Sequence, residues 1–300
     1  MNRLVVVLLL LHGVGAYSQR EITGYSDEIR NKVHTTLENV KPQEVFIYSI
    51  SGPYVREIPE ELYKLPNLAY LRITNTNLRS ITIPAGAFPA LTTLDLRNNK
   101  LSQITFEEGS ARLIEELILQ YNELREVPKF PSHWKLQDLD LRYNKISELY
   151  AQTGLESLEK IYLDANPLEN PEVAFLLSPY IKLISFYDVQ ALNVPSHACP
   201  KLKYLIISNC RELKWAASPE DFPSLRELDL IFSRFDRATL DAVCSFKKLS
   251  YLNLDHCDLD AVPVEKIVAM KKLQTLSLIG NPMHPIPKEL LGMKLKKFNY

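Results

Sequence analysis

Glycine is scarce in this chain of 300 residues, with nine copies, and nowhere do glycines gather into a loop able to wrap a phosphate. HExxH and GxSxG are missing too, and His34, His133, His197, His256 and His284 do not converge on one site, so the chain reads as a non-enzyme without a cofactor or metal. No Asn-x-Ser/Thr sequon occurs, so N-linked glycans are not expected. An excess of one charge is also lacking, with 35 Lys+Arg against 36 Asp+Glu and a net charge of −1. That balance gives no general pull toward nucleic acid or anionic membranes. Apolar runs are short: Leu4 to Leu11 is an unbroken aliphatic stretch, well under the roughly 20 residues that a spanning helix needs.

That stretch follows the single charge of Arg3 and precedes Gly13, Gly15 and Ala16. The order is that of a secretory signal peptide, residues 1–18, cut after Ala16 or Ser18, and it places the protein outside the cell. Residues 19–44 are polar, with Ile29, Val33, Leu37 and Val40 at helical spacing behind Ser26 or Asp27. They are expected to form an N-terminal cap over the segment that begins at Val45.

From Val45 onward one pattern recurs. In Leu91–Leu101, apolar residues stand first, fourth, sixth and eleventh, and Asn99 stands ninth. The same order holds for Ile114, Leu117, Leu119, Asn122 and Leu124, for Leu136, Leu139, Leu141, Asn144 and Ile146, and for Leu158, Ile161, Leu163, Asn166 and Leu168. On these residues the chain resembles leucine-rich-repeat proteins. Units begin at Val45, Leu68, Leu91, Ile114, Leu136, Leu158, Ile181, Leu202, Leu225, Leu249, Leu273 and Leu295, an array of about 12 over residues 45–300 with the last one truncated. The resemblance implies an α/β solenoid, a horseshoe with a parallel sheet on its concave face and an irregular or short-helical convex side. Each unit supplies a strand at its third to fifth positions. The ninth side chain points inward, where Asn, Thr, Ser or Cys can satisfy backbone groups at the turn. Val189 cannot, so a local change in curvature or a broken ladder is expected in its unit. Outside, DRATLDAVCSFKK and VPVEKIVAMKK carry the spacing of short helices.

Cys210 and Cys257 share the ninth position with one unit between them, roughly 10 Å apart at the spacing of stacked strands and too far to bridge. Cys199 occupies a core slot. Four buried thiols is one reading; a disulfide using Cys199 or Cys244 is the other.

Function is sought at the positions the template leaves free, the second, third, fifth, seventh and eighth, which face the hollow. Arg97, Ile118, Tyr121, Arg142, Tyr143, Tyr162 and Tyr187 make a Tyr/Arg surface of the kind enriched in binding hot spots. Tyr204, Ile206, Ile231 and Phe232 make a second, more apolar group. Arg72, Asp95 and Asp140 complete the candidate ligand-binding set. Asp95, Glu116, Asp138, Asp140 and Asp164 raise calcium binding as a further reading, set against ion pairing with the arginines of the same face. The final unit ends inside a strand bearing Lys294, Lys296 and Lys297, which protect an open edge or leave it for pairing between two copies.

Leucine-rich-repeat proteins mostly bind other proteins, and this sequence is similar to soluble recognition proteins that include insect leucine-rich immune proteins. Those typically add a cysteine-rich segment and a coiled coil, which this sequence lacks, so partnering through a coil does not carry over. The leading reading is an extracellular module that binds a protein or pathogen-surface ligand on its concave face, in innate immunity. A structural or matrix protein that oligomerises is the second, and an intracellular scaffold with an uncleaved N-terminus the third.

Overall fold

Leu94 and Leu96 flank Asp95 and turn into the interior with none of their surface exposed, and that short inward-facing stretch is repeated along the chain. The structure, a computed structural model, describes residues 33–300. The signal segment 1–18 and the cap as far as residue 32 lie outside the described residues.

The strands among the described residues are β1 (Val33–His34), β2 (Ile47–Ser51), β3 (Tyr70–Thr74), β4 (Ser80–Ile83), β5 (Thr93–Asp95), β6 (Gln103–Phe106), β7 (Glu116–Ile118), β8 (Asp138–Asp140), β9 (Lys160–Tyr162), β10 (Leu183–Tyr187), β11 (Ala191–Val194), β12 (Tyr204–Ser208), β13 (Glu212–Trp215), β14 (Glu227–Asp229), β15 (Tyr251–Asn253), β16 (Thr275–Ser277) and β17 (Lys297–Asn299). Thirteen of them form one sheet, β1-β2-β3-β5-β7-β8-β9-β10-β12-β14-β15-β16-β17. Every pairing is parallel, and third positions meet third positions throughout, as in Thr93↔Glu116 and Glu116↔Asp138. The fold is therefore the leucine-rich-repeat horseshoe, with strands where the twelve-unit reading sets them. Fourth-position Leu71, Leu94, Leu117, Leu139, Leu205, Leu228, Leu252 and Leu276 are wholly buried, because alternation sends every second strand residue inward.

Two details depart from expectation. The helical spacing around Val33, Leu37 and Val40 does not give a helix there: Val33–His34 pairs with Ile47 and Tyr48 and covers the edge of β2, with a turn at 38–39 behind it. Two outer two-stranded sheets, β4-β6 and β11-β13, line the convex side. Ile81, Ile83, Ile104 and Phe106 point in and Ser80, Thr82, Gln103 and Thr105 point out, an alternation in which extended chain satisfies both faces. The expected short helices do form, at Arg237–Val243 and Val264–Val268, the first capped by Asp236, whose carboxylate accepts the Thr239 N–H at 2.8 Å.

At Val189, where the sequence pointed to it, the ninth-position ladder has a seam. The Asn122 side-chain amide donates to Leu96 O and Leu119 O at 3.0 Å, and its oxygen accepts Leu101 N–H at 3.0 Å; Asn144 and Asn166 repeat the arrangement. Val189 is buried as the template requires, while Asp188 beside it is exposed, so the register holds. With no side chain to catch it, Leu168 N–H turns to Asn166 O of its own coil at 2.8 Å. The joint left without a side chain, β9 against β10, pairs over three residues as the asparagine-bearing joints do, whereas β10 and β12 on its other side pair over five, to Tyr187↔Ser208. A cleft of about 490 Å³ opens here, lined by Ala165, Leu168, Glu169, Asp188, Gln190 and Arg211 among others.

All four cysteines are free and buried, so the disulfide reading is set aside. Burial pushes the Cys199 and Cys210 thiols up to about 11 and those of Cys244 and Cys257 to about 12, which keeps them protonated. Cys257 acts as a ninth-position donor, its Sγ giving to Leu230 O at 3.1 Å.

Candidate functional site

Side chains at the third, fifth and seventh positions of adjacent coils stand about 4.8 Å apart on the concave face, close enough to bond across coils and cover one another. Asp95 shows the result. Arg97, two residues on and so on the same face, grips its carboxylate with Nε at 2.9 Å and Nη2 at 2.8 Å. Arg72 of the preceding coil adds Nε at 3.1 Å, and Tyr70 donates its hydroxyl at 3.2 Å while accepting from Arg72 at 2.7 Å. Asp95 is fully buried as a consequence.

A second centre lies two coils on. Arg142 holds Asp140 through Nε at 2.9 Å and Nη2 at 2.7 Å, and its guanidinium sits 5.2 Å from the centre of the Tyr162 ring. Beside it Asp164 accepts the Ser185 hydroxyl at 2.7 Å. Burial pushes the Asp164 carboxyl up to about 6 despite that bond and the charge of Arg142, with Asp140 adding to the rise. Burial likewise raises the Tyr143 and Tyr162 hydroxyls. The calcium reading loses its ligands to this pairing: Asp95 and Asp140 are held by arginine, Asp138 by Lys160 at 2.7 Å, Asp164 by Ser185, and Glu116 accepts from Thr93 at 3.3 Å.

The expected display of thirteen residues therefore divides. Asp95, Ile118, Asp140, Arg142, Tyr162 and Ile231 are buried, because ion pairing and cross-coil packing seal them in. They are a foundation rather than a contact surface. Arg72, Arg97, Tyr121, Tyr143, Tyr187, Tyr204 and Phe232 keep part of their surface in solvent. The exposed residues form two bodies: Tyr121 and Tyr143 stack with ring centres 4.3 Å apart and planes within 8°, and Phe232 stacks on His256 at 4.7 Å.

These rings occupy the eighth position, where the backbone is left-handed in coil after coil: Asn75, Asn98, Tyr121, Tyr143, Ala165, Asp188, Asn209, Phe232, His256 and Gly280 all have φ between 54° and 69°. Asparagine and glycine suit that conformation, whereas a bulky ring there costs on the order of 1–3 kcal/mol. A side chain at Gly280 would collide with the His256 ring. Reasoning from the sequence set the eighth position on the hollow face but missed its left-handed backbone, although the Gly/Asn/Asp bias there marks it, and missed Tyr70 and Ser185 as partners of the buried carboxylates. Among the described residues no helix is long and apolar enough to cross a membrane.

Family models for leucine-rich repeats match residues 56–108 and 112–168, over the coils that carry both ion-paired centres. Among solved structures, a leucine-rich-repeat protein of Leptospira interrogans superposes with a TM-score of 0.70 at 25% identity, covering 85% of this chain and 66% of its own. An internalin of Listeria monocytogenes gives 0.58 at 17% identity, over 86% of this chain and 81% of that one. TLR13, solved in complex with ssRNA13, gives 0.58 at 20%, over 83% and 42%. A Roc-COR-CHAT protease from an unknown prokaryotic organism is 29% identical over 180 residues, 52% of this chain, which thus matches only 17% of that protein's length. With the matched segments in phase with the observed coils and a solenoid of the same kind in the Leptospira protein, this chain is built of leucine-rich repeats.

Proposed function

We propose that the chain is an extracellular recognition module that binds a protein ligand on its concave face, in the setting of innate immunity. The observation that carries the binding reading is the Tyr121–Tyr143 stack. Two large rings are held on an open face, Tyr121 with 44% of its surface exposed, in a backbone conformation that the two preceding coils fill with Asn75 and Asn98. Exposed aromatic surface flanked by Arg72, Arg97 and Tyr187 resembles the centre of a protein-binding patch. The buried ion pairs beneath fix those side chains in advance, so little order is lost on binding. The extracellular location rests on the signal-like residues 1–18, and four buried, protonated thiols are compatible with an oxidising compartment. The immune setting rests on the family resemblance alone.

The test is affinity capture from extracellular fluid by the immobilised chain, compared with Tyr121→Asn/Tyr143→Asn, which installs the residue that Asn98 and Asn209 already supply at this position. Loss of the captured protein with an unchanged circular dichroism spectrum is expected. Undiminished capture by the double variant removes this surface from the account.

A further inference from the structure

The two halves of the concave face balance charge differently. Toward the N-terminus Asp95, Asp138, Asp140 and Glu159 each have an arginine or lysine within 3.1 Å. Across β12, β14, β15 and β16 that balance is missing. Glu227, Asp229 and Asp255 reach the face half-buried, and among the described residues none of them makes an ion pair. Asp229 accepts only neutral donors, the Ile231 N–H at 3.1 Å and the Asn253 amide at 3.2 Å, and Asp255 accepts the Ile279 N–H at 2.7 Å. His256 and Lys297 act on Asp255 from a distance. Burial alone raises the Glu227 carboxyl, and burial with Asp255 nearby pushes Asp229 up to about 6, so each anion stands where a cation would stabilise it.

The register says what surrounds these anions. Glu227 is paired with Tyr204 on one side and Tyr251 on the other, and Asp229 with Ile206 and Asn253. Phe232, one face of its ring covered by His256, closes the adjacent column. A carboxylate between two phenol rings, with a second carboxylate two residues along the same face, suits a planar cation better than a compact one: a guanidinium can lie against an aromatic ring and still donate a fork of hydrogen bonds.

We propose that the face made by β12, β14, β15 and β16 is a docking surface for an arginine-bearing segment of a protein partner. This rests on the reading that the concave face is the binding face, and it sets the partner's positive charge at the opposite end from the Tyr121–Tyr143 stack.

The probe is hexa-arginine, titrated calorimetrically into the whole protein at low salt, with hexa-lysine beside it. Hexa-arginine is expected to bind more tightly than hexa-lysine and to weaken as salt rises. Glu227→Gln/Asp229→Asn should weaken it at least tenfold, while Asp138→Asn, whose carboxylate is occupied by Lys160, leaves it within twofold. The Glu227 carboxylate accepts no hydrogen bond among the described residues, so Glu227→Gln alone, checked by its melting temperature, separates lost docking from lost folding; it too must weaken the probe. Absence of binding, equal binding by the double variant, an equal loss in Asp138→Asn, or parity with hexa-lysine each overturns the proposal. Tyr121→Asn/Tyr143→Asn distinguishes the two readings: if it loses the captured protein yet keeps hexa-arginine, both stand, and if hexa-arginine fails to bind while protein capture still depends on those tyrosines, only the arginine docking falls.

Discussion

Asn144 and Asn281 hold the same position in two coils and are buried to a similar degree, at 7% and 9% exposure, so replacing each with alanine removes a similar amount of packing. Their hydrogen bonds differ in what happens afterwards. The three carbonyls served by Asn144, Leu119 O, Leu141 O and Arg142 O, also receive the Asn122 amide, the Asn166 amide and the Tyr121 N–H, so they keep a partner; only Leu124 N–H is stranded. Among the described residues Asn281 is the only side-chain donor to Leu254 O and Leu278 O, at 2.8 Å, and its oxygen accepts both Cys257 N–H and Leu259 N–H. Asn281→Ala therefore strands three groups more than Asn144→Ala does. At ~1–3 kcal/mol for each stranded group, the excess is ~3 kcal/mol even at the low end. Since a solenoid can open locally, the assay is amide hydrogen exchange at Leu124 in one variant and at Cys257 and Leu259 in the other, alongside urea unfolding. If the two variants agree within ~1 kcal/mol, or if Asn144→Ala is the worse, the counting of partners is wrong.

The pH dependence of stability has a definite sign at Asp164. Its carboxyl is raised from 3.8 to about 6 in the folded chain, so the folded form holds the proton more tightly and stability rises as pH falls through 6 toward 4. The full gain is ~3 kcal/mol and the step from pH 7 to 5 is ~1 kcal/mol; Asp164→Asn should flatten that part of the curve in chemical unfolding, and an unaltered slope contradicts the burial argument. The thiols give a simpler check: at neutral pH the native chain should react with a thiol reagent far more slowly than the unfolded chain, which titrates all four cysteines, and rapid labelling of the native chain would show that one is accessible.

How far the sequence carries can be argued from single positions. The strands were legible because Leu94 and Leu96 must both leave water, and only one backbone period allows that while Asn99 turns the chain. The sealed half of the face was half-legible: Asp95 with Arg97, and Asp140 with Arg142, are two residues apart on a strand and so share a side, which already implies a pair. What the sequence does not carry is closure from the neighbouring coil, as when Arg72 and Tyr70 complete the burial of Asp95, because that depends on lateral registry rather than on local spacing. The outer strands could have been read from the alternation in SITI and QITF, which a template built on the inner strands leaves unexamined. The stretch from Val33 to Val40 misled for a physical reason: three apolar residues at helical spacing also suit extended chain once an open sheet edge is there to receive Val33 and His34.

The seam at Val189 has a mechanical side. Pulled from its ends, a solenoid passes tension from one coil to the next through whatever joins them. From Asn99 to Asn166 each joint is a side-chain amide clasping two coils at once, a rivet through overlapping plates. At Val189 the rivet between the coils of β9 and β10 is absent and the three-residue main-chain pairing alone joins them there, with the cleft at Leu168 and Arg211 beside it. Unlike the joints held by asparagine, threonine, serine or cysteine, the splice at Val189 has no polar side chain through it, and bending should be taken up there first.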